Sequence, residues 1–262
     1  MKVTDAFLPT GGHFYGLPFA LFDQSLLWYP TSPSRRRQFV NDTIPAWPSW
    51  SWASWVGSVD YEVDILHLGG SRFVYPVNEW YRYDLDHSRL VCIPEREPEN
   101  SPFALGLLYS RIDILRRNPA CIIAWVTSFR MTLSSEESHA ANWVTDTEQS
   151  VPFFTILDHE GDPCGFLPST NRDWARRFKA TGGRECELVS LCYVRQSAGH
   201  ELGRGGFTFH KKYQAVDNPY VCFYNVILVD YEDGIAYRQG IGRIHQDALR
   251  TINHVRKIMI LG

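Results

Sequence analysis

The chain has no surplus of charge of either sign: 26 lysines and arginines stand against 29 acids in 262 residues, a formal net charge of -3. With a pI near 6.3, that balance gives no electrostatic pull toward nucleic acid or an anionic membrane. No apolar run approaches the ~20 residues that a membrane-spanning helix needs. The first residues, Met1-Lys2-Val3-Thr4-Asp5-Ala6-Phe7, lack the apolar core of a secretory signal, so a cytoplasmic protein is expected. Signature motifs are missing too: there is no G-x-S-x-G elbow, no P-loop, no G-x-G-x-x-G and no H-E-x-x-H. Gly240-Ile241-Gly242 runs into Arg243-Ile244-His245 without a third glycine, and reads as a strand end. Cys92, Cys121, Cys164, Cys186, Cys192 and Cys222 show no CxxC spacing and read as free, buried thiols. A zinc site drawn from Cys186, Cys192, His200 and His210 fits no standard knuckle, so neither metal nor cofactor is expected.

What the chain does have is four tryptophans in nine residues, in Pro45-Ala46-Trp47-Pro48-Ser49-Trp50-Ser51-Trp52-Ala53-Ser54-Trp55-Val56-Gly57. Read as a strand, the run places Trp50, Trp52, Ser54 and Val56 on one face and Ser49, Ser51, Ala53 and Trp55 on the other. Val59 to Ile65 then alternates apolar and acidic residues, and Gly57-Ser58 reads as the two-residue turn of a hairpin. That register sets Val56 against Val59, Ser54 against Tyr61, Trp52 against Val63 and Trp50 against Ile65. Trp50 and Trp52 are thus expected in the core, with Trp47 and Trp55 divided between core and surface.

Along the rest of the chain, Gly16-Leu17-Pro18 starts an expected helix that Pro30 ends, making residues 1–45 a helical lead-in. Residues 46–262 read as a mainly antiparallel β domain, sandwich-like, with small helices and long loops near 84–102 and 134–150; Ser134 with Glu137 suits the cap of a short helical turn. Expected strands cover Phe73–Tyr75, Trp80–Tyr83, Cys121 to about Leu133, Phe153–Leu157, Cys164–Leu167 and Leu188–Val194. Val221–Asp230 and Ile235–Ile244 form a hairpin around Tyr231-Glu232-Asp233-Gly234, and Ile258–Leu261 closes a sheet. Asn171 to Ala180 is an expected helix, with Trp174 and Phe178 on one face. The basic run Arg35-Arg36-Arg37 reads as a solvated loop, and so does the sequon Asn41-Asp42-Thr43. Asp158, Glu160 and Asp162 lack the full EF-hand spacing and read as turn chemistry.

The order Ala6-Phe7, Gly16-Leu17-Pro18, Leu26-Leu27-Trp28, Arg36, Pro48-Ser49-Trp50-Ser51-Trp52-Ala53, Trp55 and Gly57 resembles the region that follows the HET domain in fungal heterokaryon-incompatibility proteins. The stretch Tyr224-Asn225-Val226-Ile227-Leu228, Gly234-Ile235-Ala236-Tyr237-Arg238, Gly240-Ile241-Gly242 and Ile260-Leu261-Gly262 looks like their C-terminal end. The Y-x-A-L-S-Y-x-W-G and W-x-D-x-x-C-I-x-Q segments that mark the HET domain itself do not occur. The resemblance therefore implies an accessory region without the death effector, set in non-self recognition and bound by a protein partner or a full-length relative.

Three function classes follow. The leading one is a non-enzymatic interaction module. The second is a glycan- or ligand-binding β domain presenting Trp47, Trp55 and Trp80 as stacking surfaces. The third is an enzyme with a dispersed site, such as Cys192 with His200 or His210, or the pair Asp158 and Asp162.

Overall fold

Tyr15 and Gly16 both adopt positive φ, 49° and 84°, so the chain turns tightly where the sequence suggested a helix start. His13–Phe14 (β1) and Leu17–Pro18 (β2) pair across this turn, and the helix that follows, Phe22–Ser25 (α1), is a single turn. The computed structural model describes residues 12–19, 22–32, 34–37, 47–61, 72–93, 110–137, 153–182, 184–197, 210–213 and 219–262. The sequon, Val63, Ile65, His200, residues 94–102 of the expected 84–102 loop and residues 138–150 of the expected 134–150 loop lie outside them.

Short strands follow: Trp28–Pro30 (β3), Arg35–Arg36 (β4), Trp55–Val56 (β5) and Val59–Tyr61 (β6). The tryptophan hairpin does not form. β5 pairs with β4, Arg36 opposite Trp55, while β6 pairs with β3, Trp28 opposite Tyr61. Gly57-Ser58 therefore carries the chain from one ribbon to another, and Trp52–Ser54 is a single 3-10 turn rather than strand.

The remaining strands build one sheet. They are Arg72–Pro76 (β7), Glu79–Asp84 (β8), Arg89–Ile93 (β9), Ile122–Glu137 (β10), Phe153–Leu157 (β11), Pro163–Pro168 (β12), Arg184–Ser197 (β13), Tyr220–Glu232 (β14), Ile235–His245 (β15) and His254–Leu261 (β16). The fold is mainly β, and the described residues also include the short helices Ile112–Arg117 (α2), Arg172–Ala180 (α3) and Gln246–Leu249 (α4). β9 falls inside the stretch expected as loop, because Leu90, Val91, Cys92 and Ile93 form an apolar strand that pairs with β8. Ser134 and Glu137 cap no helical turn; both lie in β10, which runs on to pair with β11.

At 16 residues, β10 is long enough to serve two partners on each edge. Its first half binds β16 and β8; its second half binds β11 and β13. The pairing with β13 closes a ring through β14, β15, β12 and β11, so these six strands form an antiparallel barrel within the sheet. Among the described residues the one parallel contact is β15 with β16, at Ala236 and Leu261. β14 and β15 turn in two residues, Asp233 and Gly234, both at positive φ (50° and 79°), as a type I′ hairpin requires. Gly240 and Gly242 lie within β15, not at its end, where β12 crosses closely. A Cβ on Gly242 would stand 2.1 Å from the Phe166 carbonyl oxygen.

α3 begins as its sequence specifies, with Asn171 Oδ1 accepting from the backbone N–H groups of Asp173 and Trp174, both at 3.1 Å. Trp174 and Phe178 stack at 4.9 Å and are buried with Phe154. The main core joins Leu17, Phe22, Leu26 and Leu27 of the N-terminal segment to the barrel strands. That segment is therefore part of the domain, held on it by shared apolar burial.

Candidate functional site

The motif that carries the resemblance turns out to be a clasp made of hydrogen bonds. Where a chain has no ladder partner, its carbonyls and N–H groups need side-chain partners, and short serines and indole N–H groups supply them. Ser51 Oγ accepts from Ala53 N–H and donates to the Tyr15 carbonyl at 2.6 Å. Ser54 donates to the Pro48 carbonyl. Trp55 Nε1 donates to the Ser49 carbonyl at 2.9 Å and Trp28 Nε1 to that of Trp50 at 2.8 Å.

Ser49 links the two stretches of the resemblance. Its N–H donates to the Gly262 carbonyl at 2.9 Å, its hydroxyl donates to the same oxygen, and its Oγ accepts from Arg238 N–H at 2.8 Å. Arg238, fully buried, donates through Nη1 to the Leu26 carbonyl at 2.6 Å and through Nη2 to that of Trp28. Its guanidinium lies 3.9 Å from the Trp28 ring centroid. Burial, opposed by Tyr61, brings Arg238 down to about 9.

Trp50 is fully buried among Phe14, Tyr15 and Phe22. Two of the three rings considered as a stacking platform are also buried: Trp55 at 2% exposure and Trp80 at 0%, the latter donating from Nε1 to Asp23 Oδ1 at 2.6 Å. Trp47 is half-buried, edge-on to Tyr15. These three cannot form one exposed face. Trp52, expected in the core, is instead the exposed ring at 38%, lying against the Gly16 backbone. Nothing in its spacing separates it from Trp50. What does is the 3-10 turn, which rotates it outward, with Val56 also exposed.

Asp158, Glu160 and Asp162 offer carboxylate oxygens all within 4.8 Å of one another. The cation among them is Lys212, whose Nζ lies 2.5, 2.6 and 2.8 Å from the three in turn. Asp158 Oδ1 also accepts from the N–H groups of Glu160 and Asp162, so the turn is built as its sequence suggested. Burial alone would raise the Asp158 carboxyl, but Lys212, the Tyr213 hydroxyl and these backbone donors outweigh it and hold the group well below the usual carboxylate range. The three carboxylates push Lys212 upward.

Of the dispersed catalytic candidates, Cys192 is fully buried in β13, accepting from Asn225 Nδ2 at 3.3 Å, while His210 faces Asp162 at 3.8 Å. Cys186, drawn above with these as a zinc ligand, is buried in β13 opposite Met131.

Comparison with protein families, with curated proteins and with solved structures finds no match to this chain. No helix among the described residues is long and apolar enough to cross a membrane.

Sequence reasoning missed two features. One is a tyrosine row on the sheet, Tyr75, Tyr193 and Tyr224, directly opposite one another on β7, β13 and β14, with ring centroids 6.0 and 5.3 Å apart. The other is a buried cation, Arg243, in the wall of a cavity. The tyrosines alternate with other residues in each strand, but only the register aligns them.

Proposed function

We propose that this chain is a non-enzymatic interaction module, related to the region that follows the HET domain in heterokaryon-incompatibility proteins, and that it contacts a protein partner through the outward side of the tryptophan–serine clasp. The observation that supports this reading is the division of labour within the block. Its serines and the indoles of Trp50 and Trp55 are turned inward, while Trp52 stands 38% exposed. Large aromatic rings are the side chains that most often dominate protein contacts. Arg35 and Arg37, exposed beside the block, add charge at its edge, with Arg37 Nε donating to the Ala53 carbonyl at 2.8 Å. The test is sedimentation of the purified chain with a full-length protein that carries a HET domain. Complex formation weakened at least tenfold by Trp52→Ala together with Val56→Asp, at unchanged melting temperature, is the expected result. Absence of a complex, or one indifferent to both changes, would remove the proposal.

A second reading, a glycan-binding face, moves from the tryptophans to the tyrosine row, where Tyr75 is 51% exposed. The rings are tilted by 31° and 54° and not coplanar, which favours it less. Titration with neutral oligosaccharides, read by tyrosine resonances, tests it; no shift for Tyr75 or Tyr193 would exclude it.

A further inference from the structure

Positive charge collects beside the Trp52 surface, although the chain as a whole carries -3. Between Asp23 and Asp60 the sequence holds a single acid, Asp42, which lies outside the described residues, against Arg35, Arg36 and Arg37. Along β4 and just past it these three arginines alternate in direction. Arg36 turns over the Tyr237 ring, 4.9 Å from its centroid, where Glu232 acts on its charge. Arg35 and Arg37 are exposed, and Arg35 stands opposite Val56, itself 41% exposed. Residues directly opposite in an antiparallel pair share a face, so a guanidinium and an apolar side chain emerge side by side.

α3 extends the patch. Its first residue, Arg172, donates from its backbone N–H to the Ser34 carbonyl at 3.3 Å, and Ser34 Oγ donates to the Thr170 carbonyl, so the start of the helix is fastened next to β4. Arg172, Arg176 and Arg177 are exposed, and Arg172 and Arg176, four residues apart, lie on one stripe. The acid of this helix is Asp173, 3.7 Å from Arg176. Among the described residues, Arg35, Arg172 and Arg177 have no carboxylate partner. A cation at the first position of a helix opposes its macrodipole, so the stability of α3 does not account for Arg172. Guanidinium groups without carboxylates, next to an exposed ring and an exposed Val, fit one partner chemistry. The planar fork takes carboxylates in bidentate pairs, while Trp52 and Val56 take an apolar anchor. A nucleic acid fits less well, because its phosphates would use the arginines and leave Val56 unmatched.

We propose that the partner engaged at the Trp52 surface presents an acidic segment with an apolar anchor, its carboxylates on Arg35 and Arg172 and its anchor on Trp52 and Val56. This inference rests on the reading of that surface as an interaction site and adds the chemistry of what it binds.

The test titrates the full chain into a fluorescein-labelled peptide in which aspartates flank a Leu-Phe pair, read by fluorescence anisotropy. Saturable binding with a dissociation constant on the order of 0.1 mM, weakening as salt is raised, is expected. Controls are the peptide with lysines for its aspartates, the peptide with serines for its Leu-Phe pair, and a single-stranded RNA. Arg35→Glu combined with Arg172→Glu should weaken binding at least tenfold, as should Trp52→Ala; all three side chains are exposed, so the fold should survive. No saturable binding, equal binding of the serine peptide, tighter binding of the RNA, or indifference to the arginine pair would overturn the proposal. Sedimentation of the arginine variant with the protein that carries a HET domain separates the two readings. A complex broken by Trp52→Ala with Val56→Asp but untouched by the arginine changes would keep the interaction site and remove the acidic partner. Peptide binding without any such complex would keep the acidic partner and remove the HET-domain protein as its source.

Discussion

Two neighbouring tryptophans that look equivalent in sequence carry opposite roles. Trp50 is enclosed by aromatic rings and Trp52 lies on the outside of its turn, so truncation should separate them sharply. Trp50→Ala is expected to cost about 3–5 kcal/mol and Trp52→Ala less than about 1 kcal/mol, measured by urea unfolding. A hairpin with both rings in the core predicts similar losses, so equal effects would reject the clasp. The acid turn gives a pH dependence. The Asp158 carboxyl sits below its unfolded value of about 3.9, so its contribution is complete above roughly pH 5 and is lost as pH falls through that value toward the folded one. Lys212→Met removes the central ammonium. Acid unfolding followed by circular dichroism should then begin at higher pH than in the unaltered chain; an unchanged midpoint would mean that Lys212 does not hold the turn.

Among the elements, those whose signals are local were legible. α3 carries its own cap and its own aromatic pair, and β14 and β15 are apolar runs joined by residues suited to a tight turn. The tryptophan run misleads because Ser-Trp alternation has the period of a strand, while its serines serve backbone and the Trp55 indole reaches the Ser49 carbonyl. Barrel closure was not legible either. It depends on β10 meeting β13, a pairing that no local pattern encodes. For the same reason the tyrosine row, assembled from three strands, could not be read from spacing. The crossing of β12 over β15 yields a sharp prediction. Gly242→Ala should destabilise the protein by at least ~2 kcal/mol, because its Cβ would meet backbone 2.1 Å away and not a movable side chain. A thermal melt within a degree of wild type would show that the strands separate more easily than this geometry implies.

For the molecule as a whole, the clasp joins distant parts of the chain. Ser49 is 213 residues from Gly262, and Arg238 is 212 from Leu26, yet each pair shares a buried hydrogen bond. Ser49→Ala should cost roughly 1–3 kcal/mol, since it leaves the buried Arg238 N–H without its acceptor; the urea m-value should not change. A loss below ~0.5 kcal/mol would mean that another group takes over the role. These spans also set an order of events during synthesis. The tryptophan block is made well before β15 and Gly262, whose backbone pairs with Ser49. Until then Ser49 has no native partner and the block is not anchored to the barrel, so a ribosome pausing before β15 would hold an aromatic segment open to chaperones or to a neighbouring nascent chain.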